Sequence, residues 1–199
     1  MSPSEVLKSV VIEPIEQECL DRVFNYLISR DNSKPEEHKN KIGPGDILKV
    51  LLYLGLKPLK SEVALIIWEV DDDLDGYVSR EEFQIMYKRC KSDETEAGLE
   101  PRKLFNLVQF LMFDKTFKGT VTVEDSLQIL FVRHGRLNLD TEITAIFGES
   151  DKNPDGTEKA ITFGEYVEKV NKRALAKQNE IMLKRKKKDV LAKRDEDDD

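Results

Sequence analysis

Two cysteines, two histidines and one tryptophan occur in 199 residues, and each scarcity closes off some chemistry. Cys19 and Cys90 stand far apart and match no metal-ligand spacing. Neither a disulfide framework nor a zinc site organises this chain, and reduced thiols are expected. His38 and His134 have no nucleophile or second ligand motif beside them, and no phosphate-cradling glycine loop is present. With no catalytic constellation in view, the chain is not expected to be an enzyme. No apolar run reaches the roughly 18 residues of a membrane span. The opening M-S-P-S-E-V lacks the basic-then-apolar plan of a signal peptide. The expectation is a cytoplasmic protein.

Charge, in contrast, is abundant and segregated. Lys and Arg number 32 against 39 Asp and Glu, for a net charge of −7. From Lys172 to Arg194, ten basic side chains face only two acids, and Asp195 to Asp199 are all acidic. An acidic body is therefore followed by a basic stretch and a short acidic tail.

The chemistry concentrates at Asp71 to Glu82, D-D-D-L-D-G-Y-V-S-R-E-E. Oxygen donors recur there at Asp71, Asp73 and Asp75, at the Tyr77 carbonyl, at Ser79 and at Glu82, whose two oxygens can bind together. Gly76 falls where such a loop turns sharply, and Val78 supplies an apolar residue for pairing with a neighbouring loop. Hard oxygen ligands at this spacing suit one calcium ion, with magnesium in its place when calcium is absent.

Around this loop the apolar spacing is helical. Glu13-Pro14-Ile15 opens a helix carrying Ile15, Cys19, Leu20, Val23, Phe24 and Leu27. Others are expected at Asp46 to Leu54, capped by Gly55, from Ser61 to the loop, and from Arg80 to Lys91. The polar K-S-D-E-T-E-A-G-L-E-P-R separates two halves, with Pro101 in the first turn of the next helix. Leu104, Leu107, Val108, Leu111 and Met112 form that helix's core face. Further helices run through Leu127, Leu130 and Phe131, from Asp140 to Phe147, and from about Phe163 onward.

This recurrence of helix–loop–helix, with the loop motif at Asp71, resembles the calmodulin and troponin C superfamily of EF-hand proteins over residues 15 to 172. The resemblance is closest where I-G-P-G-D-I-L-K-V-L-L-Y-L-G-L-K-P-L-K-S-E-V leads into the loop. It implies an all-α fold of four EF-hands in two pairs with a long C-terminal helical extension. The expected divisions are an N-terminal segment 1–14, a first pair 15–91, a linker 92–101, a second pair 102–172 and a basic extension with acidic tail 173–199. Loops within a pair should meet as Ile42 with Val78 and Val121 with Ile161. The other loops depart from the motif. Alignment on Ile42 puts Pro35, Glu37, Lys39 and Asn40 at positions one, three, five and six, with Asp46 at twelve, so loop one reads as metal-free. Loop three keeps Asp114 and Gly119 but has Thr116, Lys118 and Asp125 where ligands belong. Loop four offers Asp151, Asn153 and Asp155, but Glu165 arrives three residues late, leaving a weak second site as one alternative and a dead one as the other.

Leu52, Tyr53, Leu56 and Trp68 are apolar where calmodulin is polar, which points either to packing within the chain or to a partner interface. The basic final helix suits an acidic filament better than nucleic acid, because no aromatics interleave with its charges. Across Val70–Cys90, Glu100–Lys115 and V-R-H-G-R-L-N-L-D the chain also resembles axonemal EF-hand proteins, the small calmodulin-like subunits of outer dynein arm docking complexes. That resemblance implies coiled-coil docking subunits and microtubule, tubulin or dynein as partners, in the cytoskeleton of a cilium or flagellum. The alternatives are a diffusible calcium sensor and a calcium-binding regulatory subunit of an enzyme.

Overall fold

The computed structural model describes residues 10–92, 101–150 and 152–197, with side chains as far as Lys184. Asp151, residues 1–9 of the N-terminal segment, 93–100 of the linker and the charged side chains beyond Lys184 lie outside the described residues.

The first helix of the described residues is α1, Pro14–Ile28, as its proline signals. Pro14 occupies the first turn, where its missing N–H costs no hydrogen bond, and the Glu16 carboxylate accepts from the Glu13 N–H at 3.1 Å. A single 3-10 turn, Glu36–His38, interrupts the following connection. Helices α2, Pro44–Tyr53, and α3, Lys60–Trp68, flank Gly55, which adopts φ +85 and ends α2 as a C-terminal cap. Helix α4, Arg80–Ser92, leaves the acidic loop. After the linker come α5, Lys103–Phe113, strand β1, Thr120–Thr122, and α6, Val123–Phe147. Gly135, at φ 66 and ψ 175, breaks α6 into two arms, 123–134 and 136–147; two helices were expected, but the second starts ahead of Asp140 and the expected connection V-R-H-G-R-L-N-L-D is helical except at the glycine. Strand β2, Ala160–Thr162, and the long α7, Phe163–Asp197, complete the chain.

Both expected loop pairings form. Ile42 and Val78 exchange backbone hydrogen bonds of 2.9 and 2.8 Å in an antiparallel bridge, and β1 pairs with β2 in the register Val121 to Ile161. All four of these side chains are buried.

One expectation fails at α5. Pro101 lies outside the helix, which starts at Lys103 behind an Arg102 cap, and the Pro101 carbonyl instead accepts from the Cys90 thiol at 3.4 Å. The helix also has more than one core face. Phe105, Phe110 and Phe113 are buried together with Leu104, Leu107, Val108, Leu111 and Met112. A helix apolar all round is one surrounded by protein. Helix α5 packs against α1, α3 and α4 of the first half and against α6 and α7 of its own. One contiguous apolar core therefore runs through both halves.

Polar contacts reinforce that junction. Arg22 of α1 donates to the carbonyls of Leu111, Met112, Asp114 and Lys115, the chain end of α5 where helical acceptors lack partners. Deeper in, Glu16 has no exposed surface and accepts from Tyr87 at 2.9 Å, Lys91 at 2.5 Å and Arg133 at 3.0 Å. Arg133, itself 7 % exposed, also donates to the Tyr87 hydroxyl. Burial alone would raise the Glu16 carboxyl, but the Lys91 hydrogen bond and the Arg133 charge outweigh it and hold it below its ordinary 4.5. Burial pushes the Tyr87 phenol up, so it stays a neutral donor at any pH the fold meets.

Removing one member of such a buried ionic group strands the others. Glu16→Ala should cost about 3–5 kcal/mol in urea unfolding. Because the folded carboxyl is depressed, its contribution is present above the unfolded value near 4.5 and is lost as pH falls through the lower folded value. Glu16→Gln should therefore flatten the acid side of the stability profile measured by thermal melts.

Candidate metal centre

The loop between α3 and α4 gathers its carboxylates as the motif requires. One carboxylate oxygen each from Asp71, Asp73 and Glu82 lies within 4.8 Å of the other two, and Asp71 and Glu82 are buried. Oxygens that share a calcium ion at about 2.4 Å are at most about 4.8 Å apart, so this spacing fits the ion. Backbone donors hold the arrangement. The N–H groups of Asp75 and Gly76 donate to Asp71 at 3.1 and 2.8 Å, and those of Asp72 and Ser79 donate to the two oxygens of Glu82, each at 2.8 Å. Gly76 makes its turn at φ +84, a region that a side chain would strain.

Two further predicted ligands, Ser79 and Asp75, are engaged within the protein. The Ser79 hydroxyl donates to Glu82 at 2.7 Å, and the Tyr77 N–H donates to Asp75 at 2.9 Å. The Asp75 carboxylate pairs with the Lys41 ammonium. Burial raises the Asp71 carboxyl. Burial would also raise Asp75, but the hydrogen bonds from Lys41 and the Tyr77 N–H outweigh it and hold Asp75 low.

Loop one is filled by a side chain. Lys34 extends its ammonium to the carbonyls of Ile28 and Lys41, each at 2.8 Å, and to Asp46 Oδ2 at 2.6 Å. The Lys34 and Asp46 side chains are 4 % and 0 % exposed. The carbonyl at position seven and the carboxylate at position twelve, which an ion would draw together, are bridged by an ammonium. Attention to Lys39 at position five missed this. Lys39 pairs at the surface with Glu36, and the decisive lysine stands one residue before the loop.

Loop three repeats the device. Lys118 Nζ lies 2.9 Å from Asp125 Oδ2, and Asp114, fully buried, accepts from the N–H groups of Lys118 and Gly119. Phe117, at φ 54, stacks on Tyr26 at 3.7 Å with the Arg22 guanidinium also over its ring, and its carbonyl accepts from the Tyr53 hydroxyl at 2.8 Å. This loop is fastened to the first half of the molecule.

In loop four the extra residues close a small hairpin, with Lys152 bridged to Glu158 and the Asn153 N–H donating to the Thr157 carbonyl at 2.9 Å. Asp155 accepts from the Thr157 N–H and hydroxyl, and Glu165 accepts from those of Thr162. Among the described residues, the one group of three or more metal-capable side chains is Asp71, Asp73 and Glu82.

Of the four apolar positions singled out, Tyr53 is tied to Phe117, and Leu56 is partly buried against the core. Leu52, Tyr53 and Trp68 are exposed, at 51 %, 57 % and 66 %.

A model of the EF-hand domain pair matches residues 36–88, which contain loops one and two. Troponin C isoform 1 of Balanus nubilus is 27 % identical over 137 residues, 68 % of this chain and 82 % of the relative. Troponin C isoform 1 of Homarus americanus is 28 % identical over 140 residues, covering 70 % and 89 %. Calmodulin-like protein 6 of Homo sapiens is 25 % identical over 136 residues, covering 66 % and 68 %. These likenesses support the calmodulin and troponin C superfamily. The EF-hand motif explains why the Asp71 loop pairs with loop one, and its calcium chemistry matches the oxygen donors assembled there.

In this EF-hand pair, Lys34→Met should leave calcium stoichiometry unchanged in calorimetry, since loop one has Pro35 and Lys39 where ligands belong at positions one and five. It should also lower unfolding stability by about 3 kcal/mol, because Asp46 would be buried without its cation.

Proposed function

We propose that this chain is a calcium-binding regulatory subunit built into a larger cytoskeletal assembly, with one calcium ion at Asp71, Asp73, Asp75, Tyr77, Ser79 and Glu82. The observation that carries this reading is the contrast between loops. Lysines 34 and 118 bridge the position-twelve carboxylates of loops one and three, whereas loop two brings three carboxylates together. A protein that opened each half in response to several ions would need several responsive loops. Here the two halves also share a core and an interlocked third loop, which suits a subunit of fixed shape better than a diffusible sensor.

Exposed Leu52 and Trp68, close to the ends of α2 and α3, supply anchors of the kind that bury in partner pockets. The sequence resemblance to the small subunit of the outer dynein arm docking complex points to coiled-coil docking subunits, with tubulin or dynein nearby, in the cytoplasm and axoneme of cilia or flagella. The helical extension α7 is bound at its base by the bidentate Arg173–Glu142 pair at 2.6 and 2.7 Å and continues to Asp197. Its basic sequence suits an acidic filament.

Calorimetric titration should give one calcium ion per wild-type chain and none for Glu82→Gln at about millimolar calcium. Uptake by Glu82→Gln equal to wild type would remove loop two from the reading. Trp68→Ala should leave the calcium titration intact while reducing recovery of coiled-coil docking subunits about tenfold. Unchanged recovery, or absence of a tagged copy from cilia, would overturn the assembly assignment.

A further inference from the structure

Lys41 belongs to the loop filled by Lys34, yet its side chain serves the other one. It immediately precedes Ile42, whose two backbone hydrogen bonds to Val78 fix where Lys41 stands relative to the Asp71 loop. From there its ammonium pairs with Asp75 Oδ2 and lies 3.5 Å from Asp73 Oδ2. The Lys41 and Asp75 side chains are only about a quarter exposed. His38, one turn earlier, stacks on Tyr77 at 3.9 Å and 12°, and its Nδ1 lies 3.8 Å from Asp75 Oδ2. The acids at positions three and five of the calcium loop thus face a cation mounted on the neighbouring loop.

We propose that Lys41 is a tethered competitor for the calcium site and sets its affinity. The inference rests on the calcium reading of the Asp71 loop. The ammonium neutralises part of the carboxylate cluster and so keeps the loop assembled without an ion. An arriving divalent cation must draw Asp73 and Asp75 away from a partner whose local concentration the backbone bridge makes high. Even with the contact broken, a unit positive charge about 5 Å from a divalent ion in a water-like medium weakens its binding roughly tenfold. The site then responds at calcium concentrations above those its ligand set alone would reach.

Calorimetric and thermal titrations of the full chain with calcium, comparing wild type, Lys41→Met, Lys41→Arg and Glu82→Gln, test this. Lys41→Met should bind about tenfold tighter at unchanged stoichiometry, and Lys41→Arg, which keeps the charge, should stay within about twofold of wild type. Without calcium, Lys41→Met should melt below wild type, and its melting temperature should rise more when calcium is added. A purely structural lysine would lower both melting temperatures and would not tighten binding. Wild-type or weaker affinity in Lys41→Met, with Glu82→Gln still abolishing uptake, overturns the competitor and leaves the calcium site standing. No uptake by either wild type or Lys41→Met overturns both.

Discussion

Carboxylates brought together in a half-buried turn repel one another, and each such turn in this protein is organised by what supplies the opposing charge. Two lysines do so from within. Lys34 bridges Asp46 and two carbonyls in loop one, and Lys118 reaches Asp125 in loop three. An ammonium has a single charge and three donors, enough for one carboxylate and two carbonyls but too little for the three acids of Asp71, Asp73 and Glu82. Among the described residues, that loop alone gathers three carboxylates for a divalent ion.

The consequence of permanent lysines is permanence of shape. Loop one holds its pairing edge at Ile42 whatever the ion concentration, and so presents a fixed template to Val78. Loop three is held more firmly still, because Phe117 is clasped by Tyr26, Arg22 and Tyr53 of the other half. With α5 buried on every side and the Glu16–Arg133–Tyr87 group closing the junction, the two halves form one packed body. The Asp71 to Glu82 loop lies next to Trp68 at the end of α3 and to Lys41 across the bridge.

Such an arrangement separates two tasks that paired loops often combine. Rigidity comes from internal cations and a shared core, and the oxygen donors for an ion come from the one described loop that gathers three carboxylates. Among the exposed apolar residues, Leu52 and Trp68 lie on helices α2 and α3 of the packed body. Side chains held by preformed helices cost little ordering on contact with a partner.

Local pattern was enough for much of this. Helix ends followed from Pro14, Gly55 and the apolar spacing, the loop pairings from Ile42, Val78, Val121 and Ile161, and the gathering of Asp71, Asp73 and Glu82 from spacing within twelve residues. All of these are interactions between near neighbours, where residue type and separation dictate geometry. Tertiary structure decided which lysine fills loop one, that Lys41 crosses to Asp75, and that Phe117 locks one half to the other. Helix α5 was legible in part: Leu104, Leu107, Val108, Leu111 and Met112 marked one core face, but the burial of Phe105, Phe110 and Phe113 was decided by the helices packed around it. A long flexible side chain can reach several acids, and an aromatic ring can stack on any face offered to it. Chain packing alone chooses between them, because only the folded molecule brings Tyr26 to Phe117 and Glu16 to Arg133.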